Sequence, residues 1–324
     1  MGAPSAAPPN QEPRQSVEDR CRATIRRWEA GELPFKDAQK RIGSLAQEAE
    51  IRHDRLGQAF VEYSLGYMQG YRTNLSAAAQ HFEAARDIFI EIGDEKRVAS
   101  CNLNLGEVYR QRGDFTHARE LFHLAYENAE RLDEVTTQTI ALANEGQMLL
   151  SMSQIENARN VLQQALDLSE YWPEEKQDEL PGMLCEVYHG LAVIFLNDGD
   201  VQAAWEKAKL ALRTARTINQ PLAVGQASRT MGEVLTTLEA PPEDVGGEFS
   251  VDPDEHFKAS VAAFEELDSE GEVARTLHAH ARSLAKRGKR VPAARKLQQA
   301  MLVFARLGMV DDAAKAAEAQ AEIF

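Results

Sequence analysis

The chain has 324 residues, of which 44% are hydrophobic and 27% are charged, a balance typical of a globular protein rather than a disordered one. Its 36 Lys and Arg against 51 Asp and Glu give a formal net charge of −15, which argues against a general nucleic-acid binder, because such a protein needs a positive surface. The three cysteines, Cys21, Cys101 and Cys185, are odd in number and far apart, which excludes a disulfide framework and a zinc knuckle.

The N-terminal segments, residues 1–55, come before the repeated part of the sequence. Residues 1–16 are rich in Pro and Ala and are expected to form a disordered tail without the basic and apolar pattern of a secretion signal. No stretch of the chain approaches 18 consecutive apolar residues, so we expect a cytoplasmic protein. Residues 17–55 predict a helical hairpin broken at Gly31 and Pro34. Four apolar side chains of this hairpin should cover the end of the following array: Trp28, Phe35, Ile42 and Leu45.

An internal repeat occupies residues 56–308. Six small residues lie mid-way along apolar-periodic segments, spaced 40, 40, 46, 40 and 49 residues apart: Gly66, Gly106, Gly146, Ala192, Gly232 and Ala281. Ala118, Phe122 and Ala125 follow Gly106 at offsets that define one face of a second helix, and the other units repeat this pattern with small or apolar residues. The fifth unit rejoins the pattern at Phe257 once nine extra residues are removed.

The repeated glycines predict how the two helices of a unit pack. Glycine inside a helix costs roughly 1 kcal/mol relative to alanine, so these positions imply a compensating close contact with a second helix. Gly113–Asp114 and Gly199–Asp200 divide their units, with Gly suited to end one helix and Asp to cap the next. Each unit is therefore predicted to be a helix–turn–helix hairpin.

The segment LGEVYRQRGD at 105–114, followed by Ala118, Phe122 and Ala125, resembles a tetratricopeptide repeat. The 40-residue period is similar to that of the longer repeats in kinesin light chains and bacterial signalling proteins. The resemblance implies an all-α fold, namely a right-handed α-solenoid of about six hairpins over residues 56–308. The helical hairpin over 17–55 and a C-terminal capping helix over 309–324 would close its two ends.

Two acidic insertions interrupt the period. One, near residues 170–181, carries Trp172 and lengthens the link between units three and four. The other, near 239–255, carries Phe249 beside Gly246–Gly247 and lies inside unit five. Insertions on a regular scaffold often carry function, but repeat proteins also tolerate neutral ones, so both interpretations remain open.

The sequence contains no recognisable catalytic motif. It lacks a phosphate-binding loop, a dinucleotide fingerprint, an HExxH pair and a nucleophile elbow, so we expect neither an enzyme nor a cofactor. His278 and His280 resemble a metal pair, but residues two apart on a helix point to different sides, which favours a structural role and no metal site. The cysteines are interpreted as buried small hydrophobic residues.

The resemblance further implies that the first helix of each hairpin lines a concave groove. Counted from the repeated small residue, its exposed face predicts these partner-binding residues: Tyr63, Tyr67, Tyr71, Asn104, Glu107, Arg110, Asn144, Gln147, His189, Arg229, Glu233, His278, Arg282 and Lys286. Aromatic residues and Arg are typical of binding hot spots. Asn104 and Asn144 are suited either to hold a peptide backbone or to bridge neighbouring helices. The Lys/Asn carboxylate clamp of chaperone-binding repeats is missing, which disfavours a co-chaperone role.

Three functions are compatible with this pattern. The first is a non-enzymatic scaffold or adaptor that recognises a protein or peptide segment in the concave groove. The second is a peptide-sensing regulator that controls an effector through a change of superhelix curvature, and the third is a positioning subunit of an enzyme complex. Residues 282–296 hold seven bases and no acid, which suggests either a nucleic-acid patch or neutralisation by the acidic insertion. We favour neutralisation and expect neither a nucleic-acid nor a membrane partner.

Overall fold

The computed structural model describes residues 15–177, 179–238 and 248–323, and within these ranges the long elements are all α-helices. The helices are α1 Val17–Glu29, α2 Phe35–Ile51, α3 Arg55–Tyr71, α4 Leu75–Glu91, α5 Glu95–Gln111, α6 Phe115–Arg131, α7 Val135–Ser151, α8 Ile155–Leu168, α9 Leu180–Asn197, α10 Val201–Ile218, α11 Pro221–Thr237, α12 Pro253–Glu266, α13 Glu270–Lys286, α14 Arg290–Leu307 and α15 Val310–Ile323. The predicted all-α fold of stacked hairpins is confirmed. Residues 1–14 of the predicted tail lie outside the described residues.

The helices pair in chain order. Helices α3 to α14 form six consecutive hairpins, each packed against the next, while α1–α2 precede them and α15 follows. Throughout the described chain the odd-numbered helices are the first helices of their hairpins. This order places all of them on the same side of the array.

The repeated glycines lie where the prediction requires close packing. A Cβ added at Gly106 would lie 2.5 Å from the Phe122 ring, and one at Gly146 would lie 2.5 Å from Leu162. Such distances are shorter than van der Waals contact, so only glycine fits between the two helices of these hairpins. Gly66 against Phe82 and Gly232 against Phe257 repeat the arrangement at 2.9 Å.

The turns inside the hairpins follow the predicted chemistry. Gly113 and Gly199 adopt left-handed φ angles of 81° and 79°. The next residue in each case, Asp114 or Asp200, accepts a hydrogen bond from a backbone N–H of the following helix. Ser153, where the repeat pattern departs from Gly, adopts a φ of 58° in the same conformation.

The N-terminal hairpin is joined to the array by an apolar core. Trp28, Phe35, Ile42 and Leu45 are buried in one cluster with Phe60 of α3. Arg97 of α5 strengthens this junction, because it pairs with Glu18 at 2.9 Å.

One described helix, α9, is apolar and long enough to cross a membrane by length and composition. Its apolar face is occupied within the array, where Met183, Val187 and Leu191 belong to a core cluster shared with α7 and α8. The apolar character of α9 is therefore explained by core packing.

The two ends of the array meet. The Thr73 side chain, in the turn between α3 and α4, abuts Gly271 at the start of α13, where an added Cβ would lie 2.3 Å from its hydroxyl. Asp311, at the start of α15, lies against Gly113 in the turn between α5 and α6. Leu267 joins the N-terminal core cluster. The solenoid thus completes one turn, and its first hairpins touch its last.

The described parts of both insertions pack against the array. Trp172 is buried and donates its indole N–H to the Lys176 carbonyl at 2.9 Å. Lys176 Nζ in turn contacts Glu134 Oε2 at 3.4 Å, at the start of α7. In the second insertion Phe249 is buried against α10, and Arg213 holds Glu248 through two hydrogen bonds of 2.8 and 2.6 Å. Residues 239–247, including Gly246–Gly247, lie outside the described residues.

Candidate functional site

The odd-numbered helices surround an elongated cavity of about 1270 Å³. Side chains of α3, α5, α7, α9, α11 and α13 line it, as the resemblance implies for first helices. Helix α1 and helix α15 also contribute, because the two ends of the array meet around it. The site is consequently more enclosed than an open groove.

A tyrosine wall, formed by Tyr63, Tyr67 and Tyr71 on α3, lines one part of the cavity. The Tyr67 hydroxyl donates to Glu29 Oε1 at 2.5 Å and lies 2.7 Å from the Tyr71 hydroxyl. The Trp28 ring packs edge-on against Tyr71, with centroids 5.2 Å apart. Burial raises the pKa of all three tyrosines and of Glu29, so the hydroxyls remain proton donors at neutral pH.

Asn104 and Asn144 occupy equivalent positions but differ in their contacts. Asn104 Nδ2 donates to the Tyr63 hydroxyl at 2.9 Å and to the Ser100 carbonyl at 2.8 Å, which ties α5 to α3. Asn144 lines the cavity on α7, and its side chain makes no hydrogen bond to any described residue. Asn104 thus bridges α5 and α3, whereas the donors and the acceptor of the Asn144 amide are not taken up by any described residue.

The middle of the cavity contains an ion pair that is already satisfied. Arg110 binds both oxygens of Glu107 at 2.6 Å, and Gln111 donates to the same carboxylate at 2.7 Å. Burial opposes ionisation of Glu107, but Arg110 outweighs it and lowers the pKa of the carboxyl. Gln147 is likewise engaged, since its Nε2 donates to the Glu186 carbonyl at 3.0 Å.

Glu186 and His189 of α9 are two buried lining groups whose ionisation is disfavoured. Burial, reinforced by the nearby charge of Glu107, raises the pKa of Glu186 to about 7. Burial, reinforced by Arg229, lowers the pKa of His189 to about 4. His189 Nδ1 shares a hydrogen bond with the Thr230 hydroxyl. At neutral pH the imidazole is therefore neutral, while the carboxyl lies near its titration midpoint.

An ion ladder lines another part of the cavity and runs across three helices. Arg229 contacts Glu272 at 2.7 Å, Glu272 contacts Arg275 at 2.5 Å, and Arg275 contacts Asp312 at 2.9 Å. The Arg229 and Glu272 side chains are only 13% and 15% exposed. Burial opposes both charges of the Glu272–Arg275 pair, but their attraction outweighs it, which holds the pKa of Glu272 well below and that of Arg275 above the usual range.

The structure brings ten of the fourteen predicted partner-binding residues to the cavity lining. These are Tyr63, Tyr67, Tyr71, Asn104, Glu107, Arg110, Asn144, Gln147, His189 and Arg229. Their burial and position are observed, and their contact with a partner stays a prediction.

The other four predicted residues, all described, are outside this lining, and their contact with a partner likewise stays a prediction. Glu233 comes later in α11 than its lining residues, the last of which is Arg229. His278 packs edge-on against Phe304 of α14, while Arg282 and Lys286 are exposed towards the end of α13. In the last two hairpins the lining residues lie in the first half of α11 and of α13, whereas in α5 and α7 they extend along the whole helix. A fixed offset from the repeated small residue therefore fails there.

One set of lining residues that this offset missed shares a single position in the repeat. Six residues before the repeated small residue, every hairpin contributes one side chain to the cavity: Phe60, Ser100, Ile140, Glu186, Gln226 and Arg275. This position lies one helical turn before the predicted face. Extending that face by one turn would have found Glu186 and Arg275.

The remaining candidate chemistry is structural. His280 is buried, bonds Asp254 Oδ1 at 2.8 Å and stacks on Phe257, on a different side of α13 from His278. The described residues contain no group of three or more His, Cys, Asp or Glu placed to hold a metal ion. Asp254, at the end of the acidic insertion, also pairs with Arg287 and with Lys289. This is the contact expected from neutralisation of the basic stretch.

Comparison with known proteins supports the repeat assignment. A family model described as tetratricopeptide repeat matches residues 97–170, which span hairpins two and three. No curated protein sequence matches the chain. The sequence pattern, the family match and the stacked hairpins together confirm that the chain is a tetratricopeptide repeat protein.

Several solved structures share the fold at low identity. A Rap protein complexed with competence and sporulation factor is 17% identical, with a TM-score of 0.63 over 97% of this chain and 88% of that chain. The Rap conjugation gene regulator of plasmid pLS20, in complex with the Phr* peptide, is 14% identical, with a TM-score of 0.58 over 85% and 77%. The apo quorum sensor NprR from B. thuringiensis is 10% identical, with a TM-score of 0.55 over 95% and 86%. At these identities the likeness concerns the fold.

Proposed function

We propose that this tetratricopeptide repeat protein is a non-enzymatic binding protein that holds a short peptide in the cavity between its odd-numbered helices. The observation that carries the proposal is the mixed polar and aromatic lining contributed by every hairpin. Peptide complexes of two proteins with the same fold support it. The cytoplasmic location expected from the sequence belongs to the same proposal, and the three free, buried cysteines support it.

The available hydrogen-bonding groups decide where such a peptide is gripped. Asn144 offers donors and an acceptor, which match a peptide N–H and C=O. The tyrosine wall offers aromatic faces with hydroxyl tips, a surface that suits side chains of many kinds. The ion ladder contributes shape more than binding energy, because its charges already pair with one another.

A regulatory version of this function rests on the meeting of the two ends of the array. The contacts of Thr73 with Gly271 and of Asp311 with Gly113 join distant hairpins across a few side chains. A ligand that binds all hairpins at once shifts the equilibrium towards the closed form. The size of the shift is set by how much more tightly the ligand binds the closed form than the open form. Small-angle scattering with and without a bound peptide separates a sensor, which changes its radius of gyration, from a rigid adaptor.

A selection from a displayed library of short peptides tests the binding function. Recovered peptides should bind the purified chain in calorimetry, and Asn144→Ala should weaken them about tenfold, because one hydrogen-bonded pair is lost. Asn160→Ala is the matched control, since Asn160 is exposed on α8 of the same hairpin. Failure to enrich any peptide, or equal affinity for Asn144→Ala, would contradict the proposed site.

A further inference from the structure

The insertion near residues 170–181 brings a lysine to the cavity. Trp172 is 5% exposed and packs in the apolar cluster that contains Met183 of α9. Its indole N–H donates to the Lys176 carbonyl at 2.9 Å, and Gln177 Nε2 donates to the Trp172 carbonyl at 3.2 Å. These contacts hold the segment on the array, and the Lys176 side chain is part of the cavity lining.

Lys96 and Lys176 form a lysine pair that shares one carboxylate. Lys96 Nζ contacts Glu134 Oε1, while Lys176 Nζ lies 3.4 Å from Glu134 Oε2. Neither ammonium group pairs with another described carboxylate. Burial opposes ionisation of Glu134, but the two ammonium groups outweigh it and lower the pKa of the carboxyl. Two positive charges therefore face one negative charge.

The other ion-paired clusters of the lining have equal numbers of positive and negative charges. Arg110 pairs with Glu107, and the ion ladder joins two arginines to two acids. A third cluster also joins two arginines to two acids: Arg22, Arg97, Glu18 and Asp94. Glu179, an exposed residue of the same insertion, lines the cavity without pairing to either lysine. Among these clusters the excess positive charge is specific to the lysine pair.

Further hydrogen-bond donors lie beside the lysine pair. Thr136 is 5% exposed, and its hydroxyl accepts from Lys176 Nζ at 3.2 Å but donates to no described residue. Thr136 and Thr137 line the cavity in the first turn of α7, whose backbone N–H groups receive no side-chain cap from Glu134. The start of a helix favours negative charge. Ammonium, hydroxyl and amide donors are therefore gathered at this place, with Glu134 as their one described carboxylate partner.

We propose that the lysine pair and Thr136 bind a carboxylate of the peptide held in the cavity, either its C-terminus or an Asp or Glu side chain. The site deepens the proposed function, on which it rests, by naming a chemical group of the ligand. Ammonium and hydroxyl donors suit a carboxylate, which only accepts hydrogen bonds when ionised.

The spacing along α7 fits a short ligand. Asn144 follows Thr136 by eight residues, which is about 12 Å along the helix axis. An extended peptide covers this distance with about four residues. A peptide of six residues is therefore long enough to reach both the lysine pair and the Asn144 amide.

Affinity selection from soluble hexapeptide pools tests the site on the full chain. Two acidic pools are used, one with free C-termini and no Asp or Glu, the other with amidated C-termini and with Asp and Glu. The acid-free pool is amidated and lacks both residues. Mass spectrometry after gel filtration should find at least one acidic pool retained about tenfold more than the acid-free pool, because a charge-assisted contact is gained. The acidic pool that is retained identifies the source of the carboxylate.

Variants of the lysine pair assign this preference to the site. Lys176→Met should abolish the preference and leave retention of the acid-free pool unchanged, while Lys176→Arg should keep it. Glu134 still has Lys96 in Lys176→Met, so its carboxylate is not left without a cation. Lys40→Met, at an exposed position of α2 outside the lining, is the matched control for the loss of one positive charge.

The outcomes distinguish the carboxylate site from the function on which it rests. Equal retention of all three pools, or a preference that persists in Lys176→Met, overturns the site while peptide binding stands. Loss of the acid-free pool in Lys176→Met would assign the lysine to the fold and not to the ligand, which also overturns the site. Retention of no pool by the unaltered chain contradicts peptide binding and the carboxylate site together.

Discussion

The tyrosine wall and the ion ladder line the same cavity, but they satisfy their polar groups in different ways. The tyrosine wall uses a few hydrogen bonds among neutral hydroxyls and one buried carboxyl, Glu29. The ion ladder uses four charged side chains that pair in sequence from Arg229 to Asp312. The difference teaches that the most charged part of a cavity can offer the fewest unpaired groups, because its charges already have partners.

The largest effect is expected from breaking the ion ladder. Arg275→Met leaves Glu272 and Asp312 buried without their shared cation, which should lower the free energy of unfolding by about 3–5 kcal/mol. Urea unfolding followed by circular dichroism measures it. Arg306→Met, which removes an exposed ion pair, is the control and should change stability by less than about 1 kcal/mol. Equal effects of the two substitutions would show that the ladder is not structural.

A second prediction concerns Glu186, which lies between the two regions. Its pKa of about 7 exceeds the unfolded value of 4.5, so the folded state binds more protons between these pH values and loses stability as pH rises through them. Glu186→Gln should therefore stabilise the chain at pH 8 by roughly 1–3 kcal/mol and have little effect at pH 4. Unfolding at both pH values, with Glu120→Gln on the exposed face of α6 as control, checks the sign.

A third prediction addresses the tyrosine wall. Tyr67→Phe removes the donor to Glu29 and should cost about 1–2 kcal/mol, less than the loss of Arg275, because the wall buries fewer charges. Tyr171→Phe provides the control, since Tyr171 is 72% exposed. If Tyr67→Phe proves as costly as Arg275→Met, the contrast between the two regions fails.

The smallest effect separates the two asparagines. Asn104→Ala should cost about 1 kcal/mol, because two hydrogen bonds are lost, whereas Asn144→Ala should change stability by less than about 0.5 kcal/mol. Thermal unfolding of the two variants in parallel measures the difference. A large loss in Asn144→Ala would mean that its amide serves the fold and has no spare capacity for a ligand.

The hairpins could be predicted because the residues that pack their two helices together lie close to each other in the sequence. Gly106 and Phe122 lie 16 residues apart, and this spacing carries both the helical hairpin and its close contact. Capping by Asp114 and Asp200 is equally local. Each of these features involves two neighbouring helices, which a repeated sequence pattern can show.

The lining of the last hairpins could not be predicted in the same way. Whether Arg282 or Arg275 reaches the cavity depends on the small rotation that each hairpin adds to the previous one, and this sum is not visible in any single repeat. The sequence also does not show that Arg229 would be paired with Glu272, which lies 43 residues later. The residue types predicted a polar cavity. Which of its polar groups lack a hydrogen-bond partner within the protein is determined by three-dimensional contacts.

The contacts that join Thr73 to Gly271 and Gly113 to Asp311 have a consequence for how this molecule can evolve. Open repeat arrays lengthen or shorten by whole units, since each unit touches only its neighbours. Here the two ends of the array meet, so duplication or deletion of one hairpin would move these contacts out of register. Variation among descendants of this gene is therefore expected through substitution and loop growth, with the number of hairpins held constant.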